Sequence, residues 1–268
     1  LQILHLTNEG DVKKKQKQMK PQQLNLTSDI QLEYLGPSIN LGPLPAVFYF
    51  ALSATDSLSL DPFDQPAVYL SQFSLRIFSI TLPYHEEGKP ATKGLTEWVA
   101  AMQKGEDLLG TYLKKIQNAI TFLLSKELIL PNKIATMGLS RGALIAAHVA
   151  ANNAEISYWL GFAPLTKLSY LPGFSDLISW DLMHIVDLLS DKKIRCYIGN
   201  RDIRVGTRNC FDLIEALTEA AYQKRSLSPP IELRILPSIG YHGHGTAKET
   251  FHHGAKWIAK ELKVFNVL

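Results

Sequence analysis

Cysteine is nearly missing from this chain. Its 268 residues include two, Cys196 and Cys210. The first sits in a strand-like apolar run and the second in a helix-like one, where a thiol packs as a small hydrophobe, so no disulfide framework is expected. That usage suits a reducing compartment, and cytoplasm is the expected location. Long apolar runs are missing too: none reaches the ~20 residues that cross a bilayer, and Leu1 to Leu6 is too short and too weakly flanked for a secretory signal. No membrane insertion is expected.

Charge of one sign is also scarce. Lys and Arg number 28 against 25 Asp and Glu, a formal charge of +3. Much of the excess lies in Lys13, Lys14, Lys15, Lys17 and Lys20, interleaved with glutamines rather than with aromatics that could stack on bases. This run reads as a solvated face or arm, with no nucleic-acid partner. Neither a Walker A loop nor Gly-x-Gly-x-x-Gly occurs, so phosphate-cradling folds lack support. His242, His244, His252 and His253 have no acid or cysteine at metal-site spacing, and His252 and His253 occupy adjacent helical positions that point apart. No metal and no cofactor are expected. Ser190-Asp191-Lys192-Lys193 matches Ser-x-x-Lys, but no Lys-Thr-Gly follows it.

Enough apolar material remains for one large core: 46% of residues are hydrophobic and 20% charged. Strand-like and helix-like segments alternate, the mark of a mostly parallel central sheet with helices on both faces. A single domain over 1–268 is the simplest reading. Residues 1–44 read as edge strands, punctuated by Gly36-Pro37 and Gly42-Pro43. Strands are expected near 46–52 and 75–80, a helix over 105–128, then strands at 133–137, 156–162, 193–199 and 231–236. Between 163 and 190 no strand signal appears. Apolar residues there, such as Leu168, Phe174 and Trp180, suit a short lid-like insertion lining a pocket, or equally helices packed on the sheet.

The segment with most chemical content is Gly138-Leu139-Ser140-Arg141-Gly142. By composition alone, with glycine near 7%, such a pattern occurs in on the order of one chain in ten of this length, so context must carry it. An apolar strand precedes it and the Ala-rich helical run Ala143 to Ala151 follows. That is the setting of a nucleophile elbow, a sharp turn that lifts a serine hydroxyl above the sheet. On that helix, His148 reads as a satisfied core histidine.

A serine hydroxyl is a weak nucleophile until a base removes its proton and a third group orients the base. Asp202 lies just past the strand Lys193 to Gly199, at the strand end where ligand-binding residues gather in open sheets. Taken alone it would read as a cap, or as an ion pair with Arg201 or Arg204. His242 and His244 share a glycine-rich loop between the strand Ile231 to Leu236 and a terminal helix. Thr246-Ala247-Lys248-Glu249 reads as that helix's capping box, backed by a stripe of Phe251, Ala255, Ile258, Ala259 and Leu262. A His-Gly pair directly before the helix favours His244 as base. His242, nearer the strand, is the second choice.

These segments, with Asp61-Pro62-Phe63-Asp64-Gln65-Pro66 and Thr81-Leu82-Pro83-Tyr84-His85, resemble the α/β-hydrolases, in particular the prolyl-oligopeptidase-like and dienelactone-hydrolase-like esterases and peptidases. From about residue 45 onward the segment order matches. The resemblance implies an α/β-hydrolase fold, a Ser140, Asp202, His244 triad, and an oxyanion hole built from the backbone NH of Arg141 and one near Ser53. A His-Gly-Gly-Gly oxyanion loop is missing; Val47 to Phe50 runs instead into Ala51-Leu52-Ser53-Ala54-Thr55. The activity so implied is acyl-enzyme hydrolysis of a small carboxylic ester, with a short peptide or acylated amino acid as the other substrate class. A non-catalytic binding module on the same scaffold would have no need of all three residues.

Overall fold

Short runs rich in Val, Ile, Phe and Tyr become the strands of one sheet. In this computed structural model, residues 20–86, 89–90, 92–224 and 228–266 are described. Lys13, Lys14, Lys15 and Lys17, and the part of the expected edge region before residue 20, lie outside them. The strands are β1 (Gln22–Asn25), β2 (Gln31–Leu35), β3 (Leu44–Phe50), β4 (Arg76–Ser79), β5 (Ile129–Leu139), β6 (Ile156–Phe162), β7 (Lys193–Gly199) and β8 (Ile231–Leu236). Their spatial order is β1-β2-β4-β3-β5-β6-β7-β8. The β1–β2 and β2–β4 pairs are antiparallel, and all others are parallel.

The helices are α1 (Ala54–Ser59), α2 (Gln65–Leu70), α3 (Gly94–Gln103), α4 (Leu108–Ser125), α5 (Arg141–Ala151), α6 (Val186–Leu189), α7 (Thr207–Lys224) and α8 (Lys248–Leu262). They cover both faces, and β3 shows why. Side chains alternate along a strand: Phe48 and Phe50 enter one core with Trp98 of α3, Ile116 of α4 and Leu144 of α5, while Val47 and Tyr49 enter the other with Leu70 of α2 and Phe251 and Ile258 of α8. Phe48, Phe50 and Phe251 are at most 1% exposed, and each such side chain contributes roughly 1.5–3 kcal/mol.

Two expectations need correcting and one tightening. The helix expected over 105–128 is α4, trimmed to 108–125: Gly105, at φ +83°, lies in the turn after α3, which ends at Gln103, and Asp107 caps α4 by accepting from Gly110 N at 3.1 Å. The strand expected at 46–52 stops at Phe50, because the chain turns there and Ser53 becomes the N-cap of α1, its side chain accepting from Asp56 N at 3.0 Å. The capping box at Thr246 does not form; α8 starts one residue later, with Ala247 at the N-cap and no side-chain cap bond.

Segment 163–190 holds three 3-10 turns and α6. Leu165, Leu168, Leu171, Phe174, Leu182 and Leu189 are buried in the main core, and Asp181 ties the segment together by accepting from Ser169 N (2.8 Å) and Oγ (2.6 Å). Both cysteines are buried free thiols, and burial pushes the Cys196 pKa up. Among the described residues no helix is long and apolar enough to cross a membrane.

Candidate active site

Because β3 to β8 run parallel, their carboxyl ends share one rim, and the loops leaving it can converge. Ser140 directly follows β5, Asp202 lies three residues past β7, and His244 sits in the loop between β8 and α8.

Ser140 has φ +55° and ψ −120°, a strained conformation for a residue with a side chain. Neighbouring backbone holds it there: Ser140 N donates to Phe162 O at 2.9 Å, and Ser140 O accepts from Leu165 N at 3.1 Å and Ala143 N at 3.0 Å. The two flanking glycines follow from space. A Cβ on Gly138 would lie 2.3 Å from Gly142 O, and one on Gly142 would lie 2.0 Å from Phe50 O. Backbone cannot yield at such distances, so both positions exclude any larger residue.

Asp202 is 2% exposed. Its Oδ1 accepts from the backbone NH groups of Arg204 (3.0 Å) and Val205 (3.1 Å), which leaves Oδ2 directed at His244. Its own NH donates to Thr207 Oγ1 at 2.9 Å, and that hydroxyl donates to Gly199 O at 2.6 Å, pinning the loop to the end of β7. The ion pair considered with Arg204 is thus a backbone contact.

His244 lies between the other two. Its Nδ1 is 2.7 Å from Asp202 Oδ2 and its Nε2 is 2.8 Å from Ser140 Oγ. With Nδ1–H donated to the carboxylate, Nε2 carries the lone pair and accepts the serine proton. His242 is elsewhere: exposed, at φ +57°, its ring centroid 3.8 Å from that of Tyr241. Gly243 separates the two histidines because the loop there passes against the Asp202 loop. Its φ is +72°, and a Cβ would sit 2.2 Å from Arg201 O.

A cavity of about 280 Å³ opens in front of Ser140, walled by Leu52, Phe63, Thr92, Arg141, Arg204 and Tyr241. No residue of 163–190 lines it. Ser53, named for the oxyanion hole, is 5% exposed and does not itself line the cavity, whereas its neighbour Leu52 does. Leu52 N donates to Ser57 Oγ at 3.0 Å; Ser53 N has no acceptor among the described residues. Arg141, the first residue of α5, presents one of the helix's initial NH groups, which lack intrahelical acceptors. His85, packed edge-on to Trp98, has its pKa lowered by burial and by the charge of Arg141.

The guanidinium groups of Arg141 and Arg204 were not singled out from the sequence. Arg141 was read there for its backbone alone and Arg204 as a partner for the aspartate. What signalled them was position, directly after the serine and two residues after the acid.

Neither a protein-family model nor a curated protein matches the sequence. Solved structures do match in shape. A cold-adapted esterase from an Arctic intertidal metagenomic library superposes with a TM-score of 0.64 at 16% identity, over 90% of this chain and 92% of that one. A sugar hydrolase from Lactococcus lactis gives 0.63 at 13%, over 91% and 99%. Prolyl oligopeptidase B from Galerina marginata gives 0.59 at 18%, over 92% of this chain but 37% of the other. With the sheet order described above, these likenesses establish that the chain has the α/β-hydrolase fold.

Proposed function

We propose that the protein is a serine hydrolase acting on a small carboxylic ester. The observation that carries this reading is the continuous chain from Ser140 Oγ through His244 to Asp202, with contacts of 2.8 and 2.7 Å. In the first step Ser140 Oγ attacks the ester carbonyl while its proton passes to His244 Nε2. Asp202 holds the ring and steadies the imidazolium. The tetrahedral oxyanion is met by backbone NH groups of Arg141 and Ser53. On collapse the C–O bond to the alcohol breaks, and His244 returns its proton to the departing oxygen. Water then repeats the sequence against the acyl-enzyme, releasing the acid and free Ser140.

The small cavity supports a short substrate, near the lower end of the ~300–1,000 Å³ usual for ligand sites. A peptidase or acyl-amino-acid hydrolase uses the same machinery, and the likeness to a prolyl oligopeptidase keeps it as the second reading. Labelling with a neutral alkyl fluorophosphonate tests the mechanism. The expected result is one adduct, on Ser140, absent in Ser140→Ala. An intact, folded protein that takes up no label overturns the hydrolase reading in favour of a binding module.

A further inference from the structure

At β8 the sheet ends in an open edge: among the described residues this strand pairs only with β7. Ile194 N donates to Pro230 O at 2.9 Å and Asn200 N to Leu236 O at 2.7 Å. Backbone groups alternate sides along a strand, so those of the even-numbered residues face β7 and those of Ile231, Leu233 and Ile235 face outward. Ile231 NH turns back to Pro229 O at 2.9 Å. The NH and C=O of Leu233 and Ile235, and the C=O of Ile231, have no partner among the described residues. Such an edge is a template for another strand.

The side chains of β8 specify which strand. Glu232 and Arg234 share the face toward α8: Glu232 accepts from Arg195 (2.6 Å) and Arg234 (3.0 Å), and Arg195 lies over the ring of Trp257. Ile231 and Leu233 pack on the other face, against the core that holds Leu213 and Leu217 of α7. An antiparallel copy of the same strand, related by a two-fold axis through Leu233, matches this pattern. Leu233 then exchanges both its hydrogen bonds with the partner's Leu233, and Ile235 NH donates to the C=O of the partner's Ile231. Glu232 stands opposite the partner's Arg234, so charges alternate in sign across the junction. Moving the axis by one residue sets Glu232 or Arg234 opposite its own copy, and like charges directly opposite destabilise a sheet.

Helix α7 widens this surface. The helices α5, α6 and α7 lie side by side on one face of the sheet. Lys224 donates to Asp187 O (2.6 Å) and Ser190 Oγ (2.8 Å) at the end of α6. Tyr222 lies about 200° around the helix from Lys224, so it points away from α6, toward the β8 edge, and Phe211 is on the same stripe. Phe211, Tyr222 and Ile235 are 41%, 52% and 50% exposed, apolar surface that a two-fold contact covers.

We propose that two copies of this chain join β8 to β8 about that axis, fusing their eight-stranded sheets into one. This concerns assembly and does not rest on the hydrolase reading. Sedimentation velocity, run from the nanomolar to the upper micromolar range, should show a species of two chains. Arg234→Glu places like charges opposite each other twice per dimer and should weaken association on the order of tenfold or more. Ile235→Pro deletes an outward NH without touching the β7 ladder and should likewise shift the protein toward single chains. Amide hydrogen exchange reads the register: Leu233 and Ile235 should exchange slowly in the wild type and quickly in Arg234→Glu. Single chains over the whole range overturn the proposal. So does a dimer unaffected by both Arg234→Glu and Tyr222→Glu, two substitutions at exposed side chains that leave the fold intact.

Discussion

Buried arginines stand at opposite ends of the sheet under opposite conditions. At the amino end Arg76 is fully buried, and its guanidinium donates to the carbonyls of Pro37, Ser38, Gly42 and Leu128 at 2.5–3.1 Å. Three of these carbonyls belong to the β2–β3 connection and the fourth, Leu128 O, to the segment leading into β5. One side chain thus ties two connections together, its charge solvated by four dipoles. At the carboxyl end Arg141, also buried, lines the cavity together with Arg204, beside a serine held at φ +55°. The contrast separates a charge that ties loops together from one placed on the wall of the site. Strain at one end persists because the other end, and the two cores between them, over-determine the fold.

The sharpest way to break the contrast is at the base. His244→Ala should lower ester hydrolysis by about a thousandfold or more with little change in thermal stability, while His242→Ala, exposed against Tyr241, should stay within a few-fold of wild type. The reverse order in a chromogenic ester assay would overturn the assignment. A substitution at the opposite end should do the opposite. Arg76→Met removes all four of these hydrogen bonds from a charged donor, each worth ~1.5–3 kcal/mol, so denaturant unfolding should show a loss of about 3 kcal/mol or more, with kcat/KM of the folded fraction retained.

A smaller effect appears in acid. Burial lowers the pKa of both His85, beside Arg141, and His148, whose Nε2 lies 3.0 Å from Trp180 O, below the ordinary 6.5. Below that value the unfolded chain binds protons that the folded one refuses. The stabilisation is therefore complete above pH 6.5 and is lost as the pH falls further, at up to about 1.4 kcal/mol per pH unit for each histidine. In a urea-unfolding series over pH, His148→Gln should show a shallower acid slope, whereas an unchanged slope would remove His148 from this account.

Much of this was legible in the sequence where local pattern and tertiary demand coincide. The strands β7 and β8 run over 193–199 and 231–236, as expected: β7 is buried from Ile194 to Ile198 inside the parallel sheet, and β8, at the sheet edge, alternates Ile231, Leu233 and Ile235 with Glu232 and Arg234. The residues whose side chains meet at the rim, Ser140, Asp202 and His244, were those picked out by chain order and strand ends. Legibility failed where contacts distant in sequence decide. Ser53 ends β3 early by capping α1, and no periodicity announces that Arg141 and Arg204 line one cavity. The apolar residues of 163–190 fitted either a pocket or a core; six of them are buried in the core, and none lines the cavity.

The glycines around the elbow have a final consequence. Since backbone atoms crowd Gly138 and Gly142, the turn has a single permitted shape, and any side chain placed at 140 is delivered to the same point above the sheet. The scaffold therefore behaves as a fixed socket for a nucleophile. Exchanging serine for cysteine or aspartate would change the attacking atom without relocating it, which makes this position the natural handle for redirecting the chemistry of the molecule.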